Sequence, residues 1–158
     1  MRKLVLSEWA NVAEIIASIV IVFSLAYVGL ELNQNTTAMQ QSSYQSTLGM
    51  LTEGDLLLAS DGELNEIVTA AESDPSTLGD DDWSRFSRYA IARIGSWEYM
   101  FLARNSNSIS PAHWEAIEPY FQNLICTPGY RKFYEENTVF YDMSFVEYVT
   151  SVINDECT

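Results

Sequence analysis

The sequence has few of the residues from which most active sites and binding motifs are built. Two cysteines are too few for a disulfide-rich scaffold or a four-cysteine zinc site. Basic residues are also scarce, since eight Lys and Arg stand against 22 Asp and Glu, for a net charge of −14. Nucleic-acid binders gain affinity by neutralising phosphates, so this charge argues against a nucleic-acid partner. An aromatic content of 13% argues against disorder.

The motifs that usually carry chemistry are missing as well. The sequence has no glycine-rich phosphate loop, no G-x-S-x-G nucleophile elbow and no S-x-x-K pair. The single histidine, His113, lacks partners at metal-ligand spacing, which favours a capping or solvated role. Nothing in the spacing of the acidic residues selects a catalytic pair, and Glu98 is the first to check for burial. We therefore predict no catalytic residue, no metal site and no cofactor.

The acidic loop at residues 72–79 lacks the ligand pattern of an EF-hand calcium site. With Asp74 at position one, Leu78 falls at position five and Arg85 at position twelve, where an EF-hand needs oxygen ligands. The run from Asp80 to Asp82 is instead typical of a helix start, where negative charge suits the helix dipole.

The most informative segment is a long apolar run from Val12 to Leu30, interrupted by Glu14, two serines and a glycine. Trp9 and Tyr27 lie 18 positions apart, roughly 27 Å along a helix and close to the thickness of a bilayer's hydrocarbon core. Both residue types favour the membrane–water boundary. We predict a transmembrane anchor over residues 1–36, with the span at about 9–32 and the lipid bilayer as its first partner.

Two alternatives compete with the anchor. One is a buried helix in a soluble domain, which a chain of this size has little protein to cover. The other is a cleaved signal peptide, because Arg2 and Lys3 resemble a basic leader and Ser24-Leu25-Ala26 resembles a cleavage site. Glu14 inside the apolar run is unusual for a signal peptide and favours the anchor.

The distribution of basic residues predicts the orientation. Arg2 and Lys3 precede the span, and the next basic residue is Arg85. Because cytoplasmic flanks carry the excess of Lys and Arg, we predict a single-pass membrane protein with a cytoplasmic N-terminus. Its C-terminal domain then lies outside the cytoplasm, which is the periplasm if the membrane is the inner membrane of a Gram-negative bacterium.

One side of the predicted span carries small side chains. Helical spacing places four of them on one stripe, a predicted helix-packing seam: Ala10, Ala13, Ala17 and Ser24. Small residues let a second helix approach closely, although they also face lipid without cost. Glu14 lies one position from the stripe, where helix pairing or anchoring is favoured over a proton or ion path.

The end of the span carries a recognisable motif. The segment from Tyr27 to Thr36 reads YVGLELNQNT, and it resembles an uncharacterised family of bacterial single-span membrane proteins with a YVGLQ-x-RQNT-like motif. Three further segments resemble the family less closely: residues 78–86, Trp97-Glu98 and Pro128-Gly129. The chain departs from the family at Asn33, where relatives often have a basic residue. The resemblance implies an N-terminal span and a C-terminal helical domain, and it implies no activity.

The rest of the chain predicts further helices. The first helix is expected to run on to about Ala59, with an interruption or bend near Gly49 or Gly54. Five shorter helices follow, at 63–71, 80–104, 110–125, 128–136 and 144–153, two of them opened by Ser110-Pro111 and Thr127-Pro128. The predicted fold is all-α, with one transmembrane helix followed by a bundle of about five helices over residues 37–158.

The helix predicted at 80–104 is expected to supply the core. An apolar stripe recurs every three or four residues: Trp83, Phe86, Ala90, Ile94, Trp97 and Phe101. Arg93 and Arg104 share a face, where they hold an anionic group or, more simply, pair with carboxylates. Cys126 and Cys157 form a disulfide if the domain is outside the cytoplasm and stay reduced if it is inside.

These features favour a membrane-anchored accessory or assembly protein that is not an enzyme. Its partners are then other membrane-protein subunits or copies of itself. The alternative is a membrane-tethered ligand-binding or sensory domain, which predicts an enclosed pocket lined by Trp83, Trp97 and Tyr120 with Arg93 or Arg104 at its mouth.

Overall fold

The computed structural model describes residues 6–157, with side chains from Glu8 onward, and it is all-α over that range. Six α-helices follow one another: α1 Leu6–Ser60, α2 Gly62–Ser73, α3 Asp80–Asn105, α4 Pro111–Ile125, α5 Pro128–Glu136 and α6 Met143–Glu156. Two short 3-10 turns lie at Pro75–Thr77 and Thr138–Phe140. The predicted fold, one long apolar helix followed by five shorter ones, is confirmed. Arg2 and Lys3, on which the orientation was predicted, lie outside the described residues.

Helix α1 is one continuous helix of 55 residues. The expected interruption at Gly49 or Gly54 is wrong, because the hydrogen-bonded helix passes through both glycines. Contacts along the chain divide it into two units, the first ending at Met39 and the second beginning at Gln40. Helix α1 therefore contributes to both units, and only its part from Gln40 onward packs into the bundle.

Side-chain caps start three of the shorter helices at the residues that the sequence predicts or one position away. Asp61 accepts a hydrogen bond from the backbone N–H of Leu64 at 3.0 Å and opens α2. Ser110 accepts from the backbone N–H of His113 at 3.3 Å and opens α4. Asp142 does the same for α6. Thr127 opens α5 without a side-chain cap, because its hydroxyl donates to the carbonyl of Leu124 instead.

The core of the bundle is built on α3. Its predicted stripe is buried except for Trp83, which is only partly covered. Trp97 lies at the centre, with its ring centroid 5.1 Å from that of Phe121 and 6.4 Å from that of Trp114, both on α4. Close packing of these large rings is the main source of stability for such a small bundle.

A close helix contact explains the Pro128-Gly129 pair. Proline supplies the first residue of α5, and Gly129 presses against α2. A Cβ atom at position 129 would lie 2.6 Å from the carbonyl oxygen of Ala71, which no side chain tolerates. Gly129 therefore sets how closely α5 approaches α2.

Candidate functional site

The part of helix α1 in the first unit exposes a long run of apolar side chains. Every side chain from Glu8 to Met39 is exposed, including the whole apolar run. Among the described residues, α1 is the one helix that is long and apolar enough to cross a membrane. None of its most apolar 18-residue window is buried inside the structure, so the alternative of a buried core helix is not what the fold shows.

The exposed apolar helix has two different faces. At about 100° per residue, the side chains at Ala10, Ala13, Ala17 and Ser24 project to one side of α1, together with Glu14. The remaining surface carries bulky apolar side chains, among them Ile16, Ile19 and Phe23, and Val20 and Val28 lie within the small stripe itself. The helix therefore offers one face on which small side chains predominate and one of large hydrocarbon side chains.

One polar side chain of the apolar run, Ser18, bonds within the helix. Ser18 donates its hydroxyl hydrogen bond to the backbone carbonyl of Glu14 at 2.8 Å. This internal bond satisfies the hydroxyl without water or a neighbouring chain. Trp9 and Tyr27, the predicted interface anchors, are exposed near the two ends of the apolar run.

In the second unit, Arg93 forms the most connected polar site. Its side chain is only 4% exposed. Its Nη1 donates to the backbone carbonyl of Leu51 at 2.7 Å, and its Nη2 donates to Asp55 Oδ1 and to the Tyr120 hydroxyl, each at 2.9 Å. The guanidinium thus joins α3 to the last part of α1 and to α4. A buried arginine that is paired and hydrogen-bonded in this way holds helices in one register.

Gly54 lets this arginine reach α1. A Cβ atom at position 54 would lie 3.2 Å from Arg93 Nη1, tighter than ordinary packing. The Tyr89 hydroxyl lies 3.4 Å from the Gly54 carbonyl, to which it donates. The sequence suggested a bend at this glycine, whereas its actual role is to admit the side chains of α3.

Further ionisable groups surround the cluster. Burial raises the pKa of Tyr130, and it also raises the pKa of Tyr89, although the charge of Arg93 partly offsets the latter. Burial likewise raises the pKa of the Glu72 carboxyl, again against the lowering effect of Arg93. The tyrosines therefore remain protonated donors at neutral pH.

An open groove runs beside the cluster, with a volume of about 310 Å³. Its lining is Met50, Glu53, Gly54, Leu57, Tyr89, Ala92, Arg93 and Ser96. Of the residues predicted to line an enclosed pocket, Arg93 lines this groove, whereas Trp83, Trp97 and Tyr120 do not. Trp97 is fully buried in the core, and Trp83 packs under the Lys132 ammonium, 4.4 Å from its ring centroid.

Arg104 and His113 each lie against an aromatic ring. The guanidinium of Arg104 lies 5.9 Å from the ring centroid of Trp114 and does not share the cluster of Arg93. His113 stacks on Tyr44 with ring centroids 3.9 Å apart. Within residues 6–157, no group of three or more potential metal ligands comes together.

The acidic residues singled out by the sequence also serve local structure. Glu98 is partly buried, and its Oε1 accepts a hydrogen bond from the backbone N–H of Asp142 at the start of α6. Asp74 accepts from the backbone and the hydroxyl of Ser76, and these bonds lower the pKa of its carboxyl. Asp80 to Asp82 form the first turn of α3, as predicted.

Cys126 and Cys157 are joined by a disulfide, with Cα atoms 5.0 Å apart. The bond fastens the end of α6 to the end of α4. The sequence left this pairing open, because it depends on the compartment.

Comparison with known proteins adds no relative: no family model matches the chain, and no match was found among curated proteins or solved structures. The resemblance of the YVGLELNQNT segment to a bacterial single-span family stays a prediction.

Proposed function

We propose that the protein is a non-catalytic accessory or assembly subunit, anchored in the bacterial inner membrane by the first part of α1. In this proposal, both α1 and the acidic bundle contact a membrane complex or a second copy of the chain. The observation that carries it is the exposed apolar helix with two different faces.

The two faces suit two different neighbours in a bilayer. Large side chains such as Ile19 and Phe23 pack well against lipid chains. Small side chains such as Ala13 and Ala17 let a second helix come within van der Waals contact, which drives helix association where lipid supplies no hydrophobic force. Glu14 lies on the small face, where a neighbouring helix supplies the hydrogen-bond donors that lipid lacks.

The proposed orientation places the N-terminus in the cytoplasm and the bundle in the periplasm. The Cys126–Cys157 bond supports this proposal, because structural disulfides form and persist in oxidising compartments.

An enclosed ligand site receives less support than an accessory role. The groove beside Arg93 is open, and its arginine is already neutralised by Asp55. A ligand anion would have to compete with that carboxylate for the same donors.

Association through the span is tested by native gel electrophoresis of membranes dissolved in mild detergent. We expect the wild-type chain to migrate in a complex larger than one chain with its micelle. The double variant Ala13→Leu/Ala17→Leu fills the small face, so it should release the chain from that complex. Ile16→Leu/Ile19→Leu is the matched control and should leave the complex intact. A wild-type chain that migrates alone would contradict the proposal.

Orientation is tested by labelling one added thiol. Because both native cysteines are bonded, Ser151→Cys adds a single free thiol on an exposed position of α6. A membrane-impermeant maleimide should label this variant in intact spheroplasts and fail to label it in inverted vesicles. The reverse pattern would place the bundle in the cytoplasm.

A further inference from the structure

A short segment before α6 exposes three large apolar side chains within five residues. Val139 is 84% exposed, Phe140 61% and Met143 73%. We call this segment, residues 139–143, the apolar tip. Single exposed apolar residues are normal on a protein surface, but three so close together mark an interaction site.

The tip is held firmly in place from both sides. Before it, the Asn137 side-chain amide donates to the carbonyl of Phe133 at 2.7 Å. Within it, the ring of Tyr141 turns inward and stacks on that of Tyr134, with centroids 5.5 Å apart. After it, Glu98 accepts the backbone N–H of Asp142. The fold thus fixes the backbone of the tip while leaving three of its side chains in solvent.

This arrangement is preorganised for binding. Fixing a loop costs conformational entropy, and here the partly buried ring of Tyr141 and the hydrogen bonds of Asn137 and Glu98 offset that cost before any partner arrives. A partner that covers Val139, Phe140 and Met143 then gains their burial without having to order the loop.

The charge around the tip selects the kind of partner. The tip and the four residues on either side of it, 135–147, contain four acids and no Lys or Arg: Glu135, Glu136, Asp142 and Glu147. Of these, Glu135 is paired with Arg131. We propose that the apolar tip binds a basic amphipathic segment of a partner protein. The apolar side of that segment covers the three exposed side chains, and its Lys or Arg residues meet the surrounding carboxylates.

The same charge argues against two other occupants. A second copy of the chain would bring a like-charged surface, since each chain carries a net charge of −14. A bacterial membrane rich in anionic lipid would repel the acidic border of the tip for the same reason. The inference rests on the proposed accessory role and names the surface and partner chemistry of the bundle.

Surface plasmon resonance with immobilised synthetic peptides tests this proposal. The full chain, in non-ionic detergent, flows over a helical Leu/Lys peptide, over the same peptide with Glu in place of Lys, and over one with Ser in place of Leu. We expect binding to the Leu/Lys peptide alone. The variant Val139→Ser/Phe140→Ser/Met143→Ser should weaken it at least about tenfold, because three buried side chains are lost. Leu56→Ser/Ile91→Ser, which removes exposed apolar side chains elsewhere in the bundle, should leave it unchanged.

The other occupants are outcomes of parallel measurements. A Phe140→Cys variant, labelled with an environment-sensitive fluorophore, is placed in phosphatidylcholine vesicles that contain brominated lipid. Quenching of the label would make the bilayer the occupant and overturn the proposal. Sedimentation that shows self-association lost in the triple serine variant would make a second copy the occupant. Equal weakening by the triple variant and by its control would show unspecific adsorption.

The failure of this inference is separable from the failure of the accessory role. The peptide experiment reads the tip alone, while the native-gel experiment reads the small face of α1. An intact complex on the native gel combined with no effect of the tip variants would overturn the tip proposal and leave the accessory role standing.

Discussion

The two units of the chain use apolar residues in opposite ways. Phe23 in the first unit is 72% exposed, whereas Phe86 in the bundle has no exposed surface. In water, exposing so continuous an apolar run is unfavourable by roughly 25 cal/mol for each Å². Burial of apolar side chains away from water therefore stabilises the bundle, whereas the surface of the first unit suits an apolar solvent such as lipid.

Polar side chains show the same contrast. In the bundle, Arg93 bonds to groups that are 27 to 42 positions away in the chain. In the first unit, the hydroxyls of Ser18, Thr36 and Thr37 each donate to a carbonyl four positions back in the same helix. Hydroxyls of the bundle such as those of Thr69 and Ser96 bond in the same way, so the contrast between the units lies in the long-range bonds of Arg93.

The largest effect is expected from removing the same residue type in both units. Trp97→Ala should lower the free energy of unfolding of the bundle by about 3–5 kcal/mol, because it leaves a large cavity in the core. Trp9→Ala should leave the unfolding of the bundle unchanged. Chemical denaturation in detergent, followed by circular dichroism, measures both. Equal destabilisation by the two variants would show that the first unit supports the bundle.

The disulfide should contribute nearly as much to the bundle. Cys126→Ala/Cys157→Ala opens a loop whose ends are 31 residues apart, which costs roughly 3–4 kcal/mol in the chain-entropy model. Denaturation with and without reductant measures this difference. The wild type should lose stability on reduction, and the double variant should not respond. A response of the double variant would point to a reductant effect unrelated to this bond.

Replacing one exposed isoleucine by lysine in each unit compares the surroundings of the first unit with those of the bundle. Ile19→Lys places an ammonium near the middle of the apolar run, at a cost of about 3 kcal/mol for membrane insertion. Ile91→Lys makes the same change on exposed α3 of the bundle and should be neutral. The fraction of chain that resists alkaline extraction from membranes measures insertion. Unchanged extraction of Ile19→Lys would mean that this helix does not lie in lipid.

Local signals in the sequence predicted most of the fold. Ser110-Pro111 marks a helix start because a cap acts over three residues, and the stripe on α3 marks a core because its period matches the helix. The interruption of α1 was predicted wrongly, since one glycine costs a helix only about 1 kcal/mol, which the surrounding turns outweigh. Gly49 has no neighbour within 4 Å, and the helix passes through it all the same.

The sites were harder to predict, because they depend on residues far apart in the chain. Arg93 was noted as a cation, but its bonds to the Leu51 carbonyl and to Asp55 need the packing of α1 on α3. The apolar tip was missed altogether. Its only signal is an adjacent Val139-Phe140 pair, which in sequence looks the same as a buried segment, and exposure is a property of the folded chain alone.

The smallest expected effect is the pH dependence that the Glu72 carboxyl gives to the stability of the bundle. Burial raises the pKa of Glu72 above its ordinary value of 4.5, so the folded bundle holds this proton more tightly than the unfolded chain. Below pH 4.5 both states are protonated and the group has no effect on stability. As the pH rises above that value the unfolded chain ionises first, and the bundle loses stability until the folded carboxyl has ionised too.

Glu72→Gln should therefore raise the melting temperature at pH 7 and lose that advantage below pH 4.5, with a gain under about 1 kcal/mol because solvent screens a half-buried group. Glu66→Gln on exposed α2 and Glu14→Gln in the first unit are the controls for thermal melts at both pH values. An advantage of Glu72→Gln that persists at pH 4 would show that the gain comes from packing and that the charge of Glu72 plays no part.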